Sequence, residues 1–384
     1  MGKILEEYGR YFAASRHLLI VPLCLVFLTV LGLLTLSSAS LSFVGPNYLL
    51  RQCVWLALAL PCCFVALLLP IDLLRRHSGA IALFATILLV VVLISPVGHA
   101  VKGSRRWIDL GFLHLQVSEL AKLALALCLA ERLAERAGHS WDVRKDFLQP
   151  LTLLGIFALL LLLEPDYGST FLFLFVGFTL LFLAGTPLRF LLSCCTSAAL
   201  LLALFVVRNP VRLGRILAFL DVESTKLTGS YQLWQGLVGF QSGGLHGLGL
   251  GNGRQQLSYL PEAHTDFIFP IMAEELGYPF ALLAIFAYVT LFAILWLEIY
   301  RVHDTFLFLF ASGILLFLVA QTVINLAVVM GLFPTKGVAL PLVSYGGSNL
   351  FLVFSSIGLL LNCFCTAQAQ KPRLPDLLPS ENFH

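Results

Sequence analysis

Leu260-Pro261-Glu262-Ala263-His264-Thr265-Asp266-Phe267 runs directly into Ile268-Phe269-Pro270-Ile271-Met272-Ala273-Glu274-Glu275-Leu276-Gly277. Two acids, a histidine and a threonine stand at the mouth of an apolar segment, and two more acids lie inside it. Burying a carboxylate is costly unless it is neutralised or paired. The stretch therefore reads as a polar site built at a membrane boundary. The rest of the 384-residue chain avoids charge: 12% of its residues are charged and 59% are hydrophobic, with a mean hydropathy of +0.92. Soluble domains carry about 25% charged residues, so the composition excludes a soluble protein and implies an integral membrane bundle. A net charge of +3 gives no ground for a nucleic-acid partner.

Outward from this stretch, hydropathy places about ten membrane helices near 18–38, 50–70, 79–99, 116–134, 150–164, 168–185, 187–207, 267–300, 305–331 and 347–366. The eighth is too long for one simple crossing. Gly277-Tyr278-Pro279 is expected to split it and leave 267–276 as a short inserted helix. Pro334 to Pro341 reads as a second re-entrant piece, because irregular backbone at membrane depth survives only inside protein or beside a wet cavity. The expected fold is all-α: one polytopic membrane domain over 1–384, with a large extracytoplasmic loop at 208–266 and a short cytoplasmic tail at 367–384.

Ten spans put both termini on one side. If that side is the cytoplasm, inside segments hold Lys3, Arg10, Arg16, Arg75, Arg76, Arg132, Arg136, Arg144, Lys145, Arg189, Arg301, Lys371 and Arg373, while the short outside loops hold only Arg51, Lys102, Arg105, Arg106 and Lys336. The bias toward inside lysine and arginine makes both termini cytoplasmic. The first apolar run, Leu18 to Leu36, exceeds a signal-peptide core and reads as an uncleaved span. The nine cysteines (24, 53, 62, 63, 128, 194, 195, 363 and 365) lie mostly in apolar runs without zinc spacing, so they read as small apolar fillers.

Several polar groups carry chemical content. Asp266 sits where the chain enters the bilayer; partial desolvation there suits a general base, and a helix cap is the simpler alternative. Glu262 and His264 stand beside it. Glu274 or Glu275 is expected to pair with a distant arginine or lysine. Arg208, Arg212 and Arg215 share one face if their segment is helical, which suits either lipid headgroups or a pyrophosphate. Gly243 to Arg254 is glycine-rich but lacks dinucleotide and P-loop spacing, so it signals only close backbone approach. Glu119 and Lys122, three apart on the fourth span, are expected to form an internal ion pair. Lys102, Arg105 and Arg106 crowd an outside loop against the positive-inside bias and form a candidate anion site. Glu164-Pro165-Asp166 reads as a turn capping the next helix.

Taken in order, Arg105-Arg106-Trp107-Ile108-Asp109, Ser118-Glu119-Leu120-Ala121-Lys122, Glu164-Pro165-Asp166-Tyr167-Gly168, Gly229-Ser230-Tyr231-Gln232, Gly243 to Arg254, Pro261 to Gly277 and Pro334-Thr335-Lys336-Gly337 through Ser344-Tyr345-Gly346-Gly347-Ser348 resemble the SEDS family (shape, elongation, division and sporulation). Each motif is modest; the ordered set spans nearly the whole chain. Pro-Thr-Lys-Gly at 334–337 is most similar to the division members, and sporulation members share it. Val117, Ser169 and Asn349 depart from the family pattern.

The resemblance implies a peptidoglycan glycosyltransferase in the bacterial cytoplasmic membrane at the division septum. It would join lipid II units beside a class B penicillin-binding protein and other divisome membrane proteins. Asp266 matches the family's essential aspartate. Lys102, Arg105, Arg106, Arg208, Arg212, Arg215, Glu119, Lys122, His264, Lys336 and Ser344 are the candidate substrate-binding residues. The cations would neutralise the departing pyrophosphate, with or without a divalent cation (magnesium or manganese). Two other readings stay open: a lipid II flippase, which also wants charge inside the bundle, and a non-catalytic divisome scaffold.

Overall fold

The computed structural model describes residues 9, 11, 15–41, 48–94, 98–101, 104–109, 114–255 and 264–370. Lys102, Pro261, Glu262 and the tail beyond 370 lie outside the described residues, as do the side chains of Arg105 and Arg212.

Apolar runs become helices here because a helix satisfies its own backbone polar groups where no water is available. In chain order they are α1 (Ile20–Leu41), α2 (Tyr48–Leu68), α3 (Ile71–Arg76), α4 (Ser78–Ile94), α5 (Val117–Ala134), α6 (Gln149–Leu163), α7 (Tyr167–Leu183), α8 (Leu188–Val207), α9 (Pro210–Leu220), α10 (Tyr231–Gly243), α11 (Ile268–Leu276), α12 (Tyr278–Ile299), α13 (Thr305–Val329) and α14 (Gly347–Ala369). Among the described residues, seven helical segments are long and apolar enough to cross a membrane, and α4 and α7 are shorter apolar helices. The charged helix α5 carries Glu119, Lys122, Glu131 and Arg132 yet is buried along most of its length.

The centre of the bundle is α13, which is buried around nearly all its circumference and packs on α5, α7, α12 and α14. The broadest helix pairing is α2 against α14. Helix α8 is the opposite case: Leu191 is its one fully buried residue among those described, so most of its apolar surface faces outward.

The expected split falls at Gly277, whose φ of +84° favours glycine. The resulting short helix α11 is almost wholly buried. The segment 334–340 is irregular backbone, neither helix nor strand, with Val338 and Leu340 buried in the bundle.

Two features depart from the sequence reading. The span between α4 and α5 is not a plain loop but a three-stranded antiparallel sheet, Gly98–Val101, Ser104–Asp109 and His114–Gln116, in sequential order. Nor do Arg208, Arg212 and Arg215 share one helix. Arg208 ends α8, and Asn209 accepts the first amide bond of α9, from Leu213 at 3.0 Å. Pro210, lacking an N–H, fits the first position of α9 and cannot continue α8.

Candidate active site

Asp266 lies in the turn before α11. The cap position belongs to Phe267, which makes no side-chain cap bond, so the capping role drops out. Three successive carbonyls of this turn are held from outside. Tyr345 N donates to His264 O at 3.0 Å, Ser344 Oγ to Thr265 O at 2.6 Å, and Asn325 Nδ2 to Asp266 O at 2.9 Å. Ser344 Oγ also accepts from Leu340 N at 2.8 Å. The Ser344 hydroxyl therefore ties two loops together.

The half-buried Asp266 carboxylate faces Gly337: a β-carbon there would stand 3.1 Å from Oδ2. Glycine at 337 gives the carboxylate its room. Gly337→Ala should therefore displace Asp266 by a few tenths of an ångström and lower the rate of its reaction by about tenfold, with little change in thermal stability. An unchanged rate would show that the carboxylate has room to spare.

The segment carrying Gly337 packs on the start of α7. A β-carbon on Gly168 would touch Val338 at 3.3 Å, and Lys336 Nζ lies 4.9 Å from the Phe171 ring centroid. Burial drives the Lys336 ammonium below the ordinary lysine range, and Asp166 pulls it partly back. Asp166 caps α7 as expected, accepting from Ser169 N at 3.1 Å and Ser169 Oγ at 2.8 Å. Arg106 grips the same turn: Nη2 donates to Pro165 O at 2.7 Å, and Nε stands 3.6 Å from Asp166 Oδ2.

Beside it Glu164 is 1% exposed, and neither carboxylate oxygen has a hydrogen-bond partner among the described residues. Burial, then Asp166, pushes its carboxyl up to about 8 against the pull of Arg106. Glu164 is thus mostly neutral at pH 7. A raised carboxyl pKa means the folded state holds the proton more tightly, so stability falls as pH rises from about 4.5 toward 8. Glu164→Gln should remove that slope. A melting temperature equally pH-sensitive in the variant would rule out Glu164 as its source.

On the inner side of this cluster, Lys122 Nζ donates to Glu119 Oε1 at 2.5 Å and to Gln321 Oε1 at 2.7 Å. Asn349 Nδ2 donates to Glu119 Oε2 at 3.1 Å. The expected ion pair is present and buried. Asn349, a departure from the family pattern, supplies the fourth member.

Glu274 and Glu275 do not pair with a cation among the described residues. Glu274 accepts from Arg254 N, Gln255 N and Ser242 Oγ at 3.1–3.2 Å. Glu275 Oε1 accepts from Ser38 Oγ at 2.7 Å and Gly251 N at 3.3 Å. The glycine run of 243–253 therefore wraps the end of α11, and a β-carbon at Gly243 or Gly247 would collide with the α11 backbone. Tyr48, stacked on His264 at 4.4 Å and edge-on to Tyr345 at 5.0 Å, walls the Asp266 turn on the α2 side. Of this trio His264 stood out in sequence as a candidate, Tyr345 only within the family motif, and Tyr48 not at all.

The remaining described candidates lie elsewhere. Arg208 and Arg215 are exposed, on the helix pair α8 and α9. Arg105 pairs its backbone with Ala100. Among the described residues no three His, Cys, Asp or Glu side chains gather to hold a metal ion. The cationic side chains placed at the cluster are Arg106 and Lys336.

A family model described as "Cell cycle protein", covering FtsW, RodA and SpoVE, matches residues 17–368. The chain belongs to this family, the one its motifs resemble. It is 40% identical over 353 residues to the "probable peptidoglycan glycosyltransferase FtsW" of Coxiella burnetii, covering 89% of this chain and 94% of that one. To the protein of the same description from Thioalkalivibrio sulfidiphilus it is 40% identical over 362 residues, covering 91% and 89%. Its structure resembles a chain from work titled "Structural coordination of polymerization and crosslinking by a peptidoglycan synthase complex", with TM-score 0.76, 31% identity and coverage of 90% and 97%. It also resembles the rod shape determining protein RodA of Thermus thermophilus, with TM-score 0.68, 30% identity and coverage of 90% and 95%.

Proposed function

We propose that this chain is a peptidoglycan glycosyltransferase of the FtsW type, polymerising lipid II during cell division. The observation that carries the reading is the placement of Asp266. Its carboxylate is seated against Gly337, its backbone is clamped from α13, and Lys336 immediately precedes Gly337 in the same segment.

In the reaction, the 4-hydroxyl oxygen of one lipid II sugar attacks the anomeric carbon of another. The bond from that carbon to the pyrophosphate oxygen breaks, and undecaprenyl pyrophosphate leaves with the electron pair. Asp266 takes the hydroxyl proton. Arg106 and Lys336 stabilise the charge that develops on the pyrophosphate. The Asp266 end of the bundle faces outward and both termini face the cytoplasm, in the bacterial inner membrane at the septum. A class B penicillin-binding protein cross-links the strands alongside other divisome membrane proteins.

The test is polymer formation by the purified protein in detergent, given lipid II and its penicillin-binding partner. Glycan strands support an enzyme. A flippase makes none, and a scaffold keeps full cellular function with Asp266→Ala.

A further inference from the structure

Helix α13 is apolar almost throughout, yet it keeps two amides one turn apart, Gln321 and Asn325, 3% and 2% exposed. Asn325 uses one nitrogen twice: Nδ2 donates to Asp266 O at 2.9 Å and to Val338 O at 2.7 Å. These carbonyls belong to the two segments that carry the proposed base and Lys336. Gln321 repeats the pattern one turn earlier. Its Nε2 donates to Ala339 O at 2.9 Å, and its Oε1 accepts from Lys122 of the buried ion pair.

We infer that Asn325 is a positioning residue for the glycosyl transfer: its amide fixes the Asp266 turn against the 336–340 segment, while Gln321 anchors that segment to the Glu119–Lys122 pair. The inference rests on the function proposed above. A neutral amide suits the task because both receiving atoms are carbonyl oxygens, which require donors. The segment 334–340 has no helix or strand to hold it, and Val338 and Ala339 offer adjacent carbonyls to the two amides. Two loops far apart in sequence are thereby referenced to one rigid helix. That is what holding a base and a charge-stabilising cation in register demands. Among the described residues Asn325 Oδ1 has no hydrogen-bond partner, so the bonds the side chain makes there are those its nitrogen donates.

The decisive variant is Asn325→Asp, nearly the same shape but with an oxygen facing both carbonyls. Asn325→Leu removes the polar group, and Asn325→Gln keeps the amide on a longer stem. Each is assayed with lipid II and the partner, beside wild type, for kcat, KM and thermal melting. The expected result is a kcat about 30–100-fold lower for Asn325→Asp, with KM within about threefold. Asn325→Gln should recover part of the loss, and Asn325→Leu should fall with Asn325→Asp. A wild type that makes no polymer overturns the proposed function itself. With an active wild type, either of two results overturns the positioning role: kcat within twofold of wild type for both Asn325→Asp and Asn325→Leu, or losses that track melting temperature with no rescue by Asn325→Gln. If Asn325→Asp does not fold, Asn325→Leu and Asn325→Gln decide by the same criteria.

Discussion

Asp266→Asn should lower lipid II polymerisation by at least about 10²–10⁴-fold, the range a positioned general base contributes. The substitution keeps the shape of the side chain and removes its capacity to take a proton. The backbone of residue 266 stays bonded to Asn325 and that of Thr265 to Ser344, so the turn should keep its place and melting should be nearly unchanged. Lipid II binding should also survive, because the cations at the turn, Arg106 and Lys336, are untouched. Loss of rate with retained binding is the signature of an interaction made in the transition state. A variant that polymerises at close to the wild-type rate would take the base role away from Asp266.

The second large effect is on stability. Glu119 and Lys122 are 8% and 6% exposed, and removing one partner of such a pair costs about 3–5 kcal/mol because a charge is left buried alone. Lys122→Met should be the worse single change. It leaves the Glu119 carboxylate with only the Asn349 amide among its described partners, whereas Glu119→Gln leaves Lys122 its contact with Gln321. The double variant, with no orphan charge, should melt above Lys122→Met. The check is a double-mutant cycle on thermal stability in detergent, with a coupling of about 1–3 kcal/mol expected. Additive losses would mean that the two groups do not depend on each other. A stable but inactive single variant would move the pair into the chemistry and favour transport.

What the sequence disclosed is what local chemistry governs. The Glu119–Lys122 pair follows from i, i+3 spacing on an apolar helix, the Asp166 cap from a Pro-Asp turn, and the break at Gly277 from a glycine before Tyr278-Pro279. Asn209-Pro210 carried an equally local signal for separating α8 from α9, since proline opens a helix and does not continue one. Other features depend on distant partners. Asn325 lies 59 residues from the carbonyl it holds, and within an apolar helix it reads as an isolated amide. Glu274 and Glu275 suggest ion pairs until the glycine loop is seen to bring its backbone N–H groups to them. The strands at 98–116 are short, and only their pairing makes them a sheet. Ser344 entered through the family motif alone, and its bonds to Leu340 N and Thr265 O join segments that lie far apart in sequence.

The most direct measurement is the release of undecaprenyl pyrophosphate per glycosidic bond formed, followed in one reaction of purified protein, its penicillin-binding partner and lipid II. Wild type should release one undecaprenyl pyrophosphate for each new linkage, and Asp266→Asn should bind lipid II while releasing almost none. Movement of lipid II across vesicles by the wild type with neither linkage nor pyrophosphate release would contradict the account.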